Sequence, residues 1–134
     1  MALLELTTEN FEATLNRDGI TLIDWWAEWC GPCKRFGPIF EAAAGRYPDI
    51  TFGKIDTEAQ GELAGTFEIR SIPTLMIFRD QVLVFSEAGA LPAEALDEVI
   101  AKVRALDMVK IKKEIDEEEA KQAAAAPPGA PGEA

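Results

Sequence analysis

The chain contains two cysteines, Cys30 and Cys33, and the residues between them are Gly31 and Pro32. Glycine is permissive at positive φ, whereas proline fixes φ at about −65°. This Gly-Pro pair can form a tight turn that brings the two sulfur atoms within bonding distance. Because a thiolate is the nucleophile that attacks a disulfide, the spacing points to thiol–disulfide exchange.

Local features favour a thiolate at Cys30. A strand-like apolar run, residues 21–26, ends just before it, and apolar residues at helical spacing begin after it. Cys30 should therefore face unpaired backbone N–H groups and the positive end of a helix dipole, and Lys34 and Arg35 add positive charge. We expect Cys30 to attack and Cys33 to resolve the mixed disulfide. Cys33, one turn into the helix, should be the more buried cysteine with the higher pKa.

The sequence contains no histidine. This excludes Ser-His-Asp and Cys-His nucleophilic sites, histidine metal sites and histidine-ligated haem. A proton acceptor near the cysteines must then be a carboxylate, a lysine or water. Two alternatives to redox chemistry stay open: an inert cysteine pair, and half of a zinc site that would have to bridge two chains.

Composition limits the location and the partners. The chain has 134 residues, enough for one globular domain with an appendage. A net charge of −11 argues against binding to nucleic acid or to an anionic membrane. Residues 1–6 do not read as a signal peptide, and no run approaches the roughly 20 apolar residues of a membrane span. We therefore expect a cytoplasmic, reducing location, where cysteines are more often catalytic than structural.

The order of the predicted elements gives the fold class. Strands and helices alternate in the first half of the chain, and a hairpin and a helix follow. The predicted strands are residues 3–6, 21–27, 50–56, 74–79 and 82–87, and the predicted helices include residues 31–47, 61–67 and 92–106. This order predicts an α/β fold in which a central mixed sheet has helices on both faces.

Three segments of this chain together resemble the thioredoxin family. They are Asp24-Trp25-Trp26-Ala27-Glu28-Trp29-Cys30-Gly31-Pro32-Cys33-Lys34, Ile72-Pro73-Thr74 and Gly89-Ala90. The resemblance covers about residues 3–106 and implies a thioredoxin-like fold with a mixed sheet of four or five strands. It also implies a protein-disulfide reductase that binds no cofactor and is recharged by an NADPH-dependent thioredoxin reductase.

The resemblance also implies roles for the catalytic residues. Cys30 matches the attacking cysteine and Cys33 the resolving one. Asp24 matches a buried aspartate that assists proton transfer at the resolving cysteine, and burial should raise its pKa toward that of a useful base. The alternative is a hydrogen-bonded structural acid. Lys54 matches the lysine near that aspartate, and the alternative is a surface lysine with only its stem covered.

The same resemblance implies a surface for substrate docking. Ile72 and Pro73 match the cis-proline loop beside the active site, where the backbone of Ile72 could pair with an extended substrate segment. Gly89 and Ala90 match the segment that lets the substrate approach. The alternative is an ordinary turn and strand start. Trp29 should lie at the exposed rim of the site.

The chain departs from the family pattern at residue 25 and at the hairpin turn. Residue 25 is tryptophan where phenylalanine is usual, and we assign both Trp25 and Trp26 to packing. The hairpin has Asp80-Gln81 in place of the usual Asn-Gly, which leaves its turn type open.

The chain is predicted to consist of a thioredoxin domain, residues 1–106, and an extension, residues 107–134. The extension reads as an acidic helical segment followed by a disordered tail rich in alanine, proline and glycine. We expect a monomer whose partners are thioredoxin reductase and disulfide-containing proteins. Two alternatives remain, a disulfide oxidase or isomerase and a binding or chaperone module that uses the tail.

Overall fold

The computed structural model describes residues 3–125. The strands are β1 (Leu3–Glu5), β2 (Ile20–Trp26), β3 (Thr51–Asp56), β4 (Thr74–Arg79) and β5 (Val82–Ala88). The helices are α1 (Phe11–Leu15), α2 (Gly31–Arg46), α3 (Gly61–Thr66), α4 (Ala93–Arg104) and α5 (Met108–Ala125). The five strands form one sheet in the order β1-β3-β2-β4-β5. Strands β1, β2 and β3 are parallel, whereas β4 is antiparallel to β2 and β5. The predicted mixed sheet is confirmed.

Strand β2 is the centre of the sheet and is apolar on both faces, because each face is covered by helices. One face packs against α2 and α4, and the other against α1 and α3. The first core includes Leu22, Phe36, Phe40, Phe52, Leu96 and Ile100, and the second includes Leu6, Phe11, Ile23, Trp25, Ile55 and Phe78. Side chains alternate along a strand, so Asp24 shares the α2 face with Leu22.

The β4–β5 hairpin is closed by Asp80 and Gln81, which have φ angles of 51° and 70°. A two-residue turn with positive φ at both positions has the backbone of a type I′ turn. The carboxylate of Asp80 accepts a hydrogen bond from the backbone N–H of Gly19 at 2.8 Å. The sequence does not decide the type of this turn. The structure shows a type I′ turn, whose backbone twist matches the twist of the two paired strands.

The chain divides after Val103 into two compact units. Helix α5 belongs to the second unit, and three of its four lysines stand four positions before a carboxylate, as in Lys110 and Glu114 or Lys112 and Asp116. That spacing supports a helix through pairing of neighbouring charges on its surface. Most of the predicted disordered tail, residues 126–134, lies outside the described residues. Within residues 3–125, the helices are all too short or too polar to cross a membrane.

Candidate active site

The two cysteines form a disulfide at the start of helix α2. Cys30 is the residue before the first helical turn, and its sulfur accepts a hydrogen bond from the backbone N–H of Cys33 at 3.1 Å. Gly31 and Pro32 make the turn between them, with the proline at a position where a helix does not need its N–H. The Cα atoms of the cysteines are 5.2 Å apart, which is ordinary for a disulfide.

Cys30 is covered by the loop before β4. Its Sγ lies 3.6 Å from the backbone carbonyl oxygen of Ile72, a position where a free thiol would donate a hydrogen bond. Cys30 is 3% exposed and Cys33 is 4% exposed. The expectation that Cys33 is the more buried cysteine is therefore wrong, because Cys30 is also covered and its Sγ contacts the Ile72 carbonyl oxygen.

The predicted docking residues lie on two segments that are joined by a hydrogen bond. The Ile72–Pro73 peptide bond is cis, and the carbonyl oxygen of Pro73 accepts a bond from the N–H of Gly89 at 2.8 Å. Gly89 has a φ of 109°, which side chains rarely tolerate. Ala90 follows it and packs against the α2-side core. The structure thus joins the Gly89 segment to the loop whose Ile72 carbonyl oxygen contacts Cys30.

Asp24 is fully buried beneath the helix that carries Cys33. Neither of its carboxylate oxygens has a hydrogen-bond partner among the described residues. Burial raises the pKa of Asp24 from 3.8 to about 7, and the charge of Lys54 partly opposes that rise. A carboxyl group with this pKa can take up and release a proton near neutral pH.

Lys54 lies next to Asp24 on the neighbouring strand, in register with it. Its Nζ lies 4.7 Å from the centroid of the Trp26 ring. Lys54 and Trp26 line a cleft of about 220 Å³ that also reaches Cys33. Cys33 is therefore the cysteine that this cleft reaches.

Trp29 is an exposed aromatic residue at the rim of the site, with 68% of its surface accessible. Its indole N–H donates a hydrogen bond to the carboxylate of Glu58 at 3.3 Å. Glu58 is a contact that sequence reasoning missed, and no local pattern could have revealed it, because it lies in the segment after β3. The assignment of Trp26 to packing alone is incomplete, because its ring also faces the ammonium group of Lys54.

The site holds few other candidates for chemistry. Within the described part of the chain, no group of three or more cysteine, aspartate and glutamate side chains is placed to hold a metal ion. A larger groove of about 550 Å³, lined by Phe11, Leu15 and Phe78, lies on the other face of the sheet and touches none of the site residues.

Two cysteines with two residues between them, at the N-terminus of a helix in an α/β fold, define a thiol–disulfide oxidoreductase. A family model described as thioredoxin matches residues 2–102. The chain is 57% identical over 117 residues to a thioredoxin-type protein of Streptomyces coelicolor, and the match covers 87% of each protein. It is 41% identical over 103 residues to a thioredoxin of Staphylococcus saprophyticus, covering 76% of this chain and 98% of that one.

A comparison with solved structures also supports the fold. One similar structure comes from work on the thiol resolving mechanism of a yeast mitochondrial 1-Cys peroxiredoxin via the glutathione and thioredoxin systems. A chain in it matches with a TM-score of 0.69 and 29% identity, over 75% of this chain and 94% of that one. The present chain belongs to the thioredoxin family. It is a thiol–disulfide oxidoreductase that reduces protein disulfides.

Proposed function

We propose that Cys30 is the attacking cysteine and Cys33 the resolving one in this reduction. The Cys30 thiolate attacks one sulfur of a substrate disulfide, the substrate S–S bond breaks, and a mixed disulfide forms. The Cys33 thiolate then attacks Cys30, closes the disulfide seen here and releases the second substrate thiolate. Two electrons pass from the cysteine pair to the substrate, and two protons end on its thiols. The observation that carries this assignment is the position of Cys30 at the helix N-terminus, beside the Ile72 carbonyl.

In this proposal, Asp24 removes the proton from Cys33 before the second step. Asp24 lies on the sheet face that α2 covers, and its pKa of about 7 suits a base at neutral pH. Lys54 supplies a positive charge nearby and so favours the ionised form of Asp24. Trp29, Ile72, Pro73, Gly89 and Ala90 form the docking surface in the same proposal.

The remaining expectations complete the cycle. An NADPH-dependent thioredoxin reductase would return the disulfide to the dithiol, and no bound cofactor would be needed. The chain would work as a cytoplasmic monomer on disulfide-containing proteins. The thioredoxin domain would comprise residues 1–106, and the extension 107–134 would lie outside the catalytic machinery.

The test is NADPH consumption in the presence of thioredoxin reductase and insulin as the disulfide substrate. The wild-type chain should support continuous turnover, and neither Cys30→Ser nor Cys33→Ser should do so. Cys33→Ser should accumulate a mixed disulfide on Cys30, because nothing resolves it. A stable mixed disulfide on Cys33 in the Cys30→Ser variant would reverse the two roles.

A further inference from the structure

Lys54 makes an unusual contact for a lysine beside a buried carboxyl group. Among the described residues, no carboxylate oxygen lies within 4.0 Å of its Nζ, although Asp24 is its partner in strand register. The ammonium group instead faces the ring of Trp26, 4.7 Å from the centroid. The face of an indole ring attracts cations because of its quadrupole, and more strongly where water is partly excluded.

The ring of Trp26 is held where it can make this contact. Trp26 lies two residues after Asp24 on β2, so both side chains share the α2 face of the sheet. Its backbone carbonyl accepts hydrogen bonds from both the N–H and the hydroxyl of Thr57, at 2.8 Å and 3.2 Å. Trp26 and Lys54 also line a second cleft, of about 260 Å³, on the β1 side. The ammonium group therefore has an aromatic partner whose backbone is hydrogen-bonded, at a point where two clefts share Trp26 and Lys54 as lining residues.

We propose that Trp26 is a positioning residue that holds the Lys54 ammonium over its ring, short of an ion pair with Asp24. A direct ion pair would require the ammonium to leave the cleft and enter the fully buried environment of Asp24. The indole offers a competing site that keeps the ammonium at the cleft. The consequence is that Asp24 feels the charge of Lys54 at a distance and keeps a neutral form near pH 7.

This inference rests on the proposed role of Asp24 for its meaning in the reaction, but its test does not depend on activity. The midpoint of the Asp24 titration is measured by ¹³C NMR of its carboxyl carbon in the oxidised full-length chain, with Asp24→Asn for assignment. If Asp24 is not the base, the pH profile of disulfide reduction will show it. If Trp26 does not position Lys54, the midpoint of the Asp24 titration will show it.

Because other titratable groups surround Asp24 and Lys54, the measured midpoint must be specific to Asp24. They are Glu5 and Glu87 in the same row of the sheet, Asp56 in register with Trp26, and Glu28, Cys33, Lys34 and Glu41 along the cleft. Cys33 does not titrate in the oxidised chain. A resonance of the Asp24 carbon itself separates its midpoint from those of the other carboxylates.

The expected result is a lower midpoint when the ring is removed. In Trp26→Leu the ammonium is free to approach Asp24, and the midpoint should fall by about one to three pH units. Trp26→Phe keeps a weaker aromatic face, so its shift should have the same sign and be smaller. In both variants, the Lys54 side-chain protons should also lose part of the upfield ring-current shift that the indole gives them.

A double-mutant cycle separates positioning from simple shielding. If Trp26 acted only by excluding water from Asp24, its loss would lower the midpoint with or without the lysine. In the Lys54→Met background, we expect Trp26→Leu and Trp26→Phe to leave the midpoint nearly unchanged. Trp25→Phe, which changes the neighbouring indole on the opposite face, is the matched control and should not shift the midpoint.

Two results would overturn the proposal. One is an unchanged Asp24 midpoint in Trp26→Leu or Trp26→Phe when Lys54 is present. The other is a shift of equal size with and without the Lys54→Met substitution, which would assign the effect to hydration. Because Trp26→Phe removes little volume, it keeps the proposal testable if Trp26→Leu does not fold.

Discussion

Leu6 packs so closely against Gly53 that a side chain at position 53 has no room. A Cβ atom placed there would lie 2.6 Å from Cδ1 and 2.9 Å from Cγ of Leu6. Leu6 is fully buried, and its backbone N–H donates a hydrogen bond to the carbonyl oxygen of Lys54 at 2.9 Å. The absence of a side chain at Gly53 thus lets the chain after β1 close over β3, directly beside the lysine of the site.

The first prediction concerns this contact. Gly53→Ala should lower the free energy of unfolding by about 1–3 kcal/mol, because Leu6 or the backbone must move to admit the methyl group. Urea unfolding measures the change. Gly45→Ala is the matched control, since Gly45 is exposed in α2 with nothing within 4 Å of a Cβ, and it should gain about 0.5–1 kcal/mol. If Gly53→Ala were as stable as wild type, Leu6 would be able to move aside without an energetic cost, and the prediction would be wrong.

The second prediction concerns Glu68, which has a φ of 54°. A left-handed backbone costs a residue with a side chain about 1–2 kcal/mol, so Glu68→Gly should raise the free energy of unfolding by about 1 kcal/mol. The ion pair of Glu68 with Arg70 is exposed and 4.0 Å long, so its loss should matter little. Glu68→Ala loses the same ion pair without relieving the backbone and should show no gain. A gain in both variants would point away from the backbone as the cause.

The third prediction concerns the β4–β5 turn, in which both central residues have positive φ. Gln81→Gly should stabilise the chain by up to about 1 kcal/mol, because it removes the left-handed cost and loses only an exposed hydrogen bond to Asp18. Asp80→Gly also relieves the backbone but loses the bond from the Gly19 N–H, so its gain should be smaller. Thermal unfolding of the two variants ranks them, and the reverse order would contradict this reading of the turn.

The fourth prediction is the pH dependence of stability that follows from Asp24. Its pKa is about 7 in the folded chain and 3.8 as the reference for the unfolded chain. Between these values the folded chain holds a proton that the unfolded chain has released, so stability falls as pH rises through this window. Above about pH 7 the buried carboxyl group of Asp24 is ionised in the folded chain. The resulting decrease in the free energy of unfolding is about 4 kcal/mol.

Asp24→Asn removes this titration. The variant should be more stable than wild type by up to a few kcal/mol at about pH 8, and the advantage should vanish near pH 4. Urea unfolding at the two pH values is the measurement. Asp116→Asn, at an exposed position of α5, should leave the pH dependence as in wild type. An advantage of Asp24→Asn that is the same at both pH values would exclude titration of Asp24 as its source.

Much of the site follows from local sequence. The Cys30–Cys33 spacing, the apolar run that becomes β2 and the helix after it are local patterns, so the strand-to-helix junction could be predicted. Asp24 is the single carboxylate within that apolar run, so its burial could also be predicted from the local sequence. The mixed sheet followed from the short link between β4 and β5, which allows only an antiparallel pair.

The parts that could not be predicted are contacts between distant segments. The equal burial of the two cysteines comes from Ile72, which is 42 residues away from Cys30 in the sequence. The contact between Trp26 and Lys54 needs the exact pairing of β2 with β3, which apolar periodicity does not specify. The sequence does not decide the turn type at Asp80, because aspartate signals a positive φ only weakly compared with glycine.

The central position of β2 has a consequence for hydrogen exchange. Its neighbours β3 and β4 both pair with it, so the amides of residues 22–24 should exchange with solvent only when the whole sheet opens. Cys30 follows the end of this strand by four residues. The reactive disulfide is thus attached to a strand that we expect to exchange slowly, so it should open and close many times while the backbone of β2 stays protected.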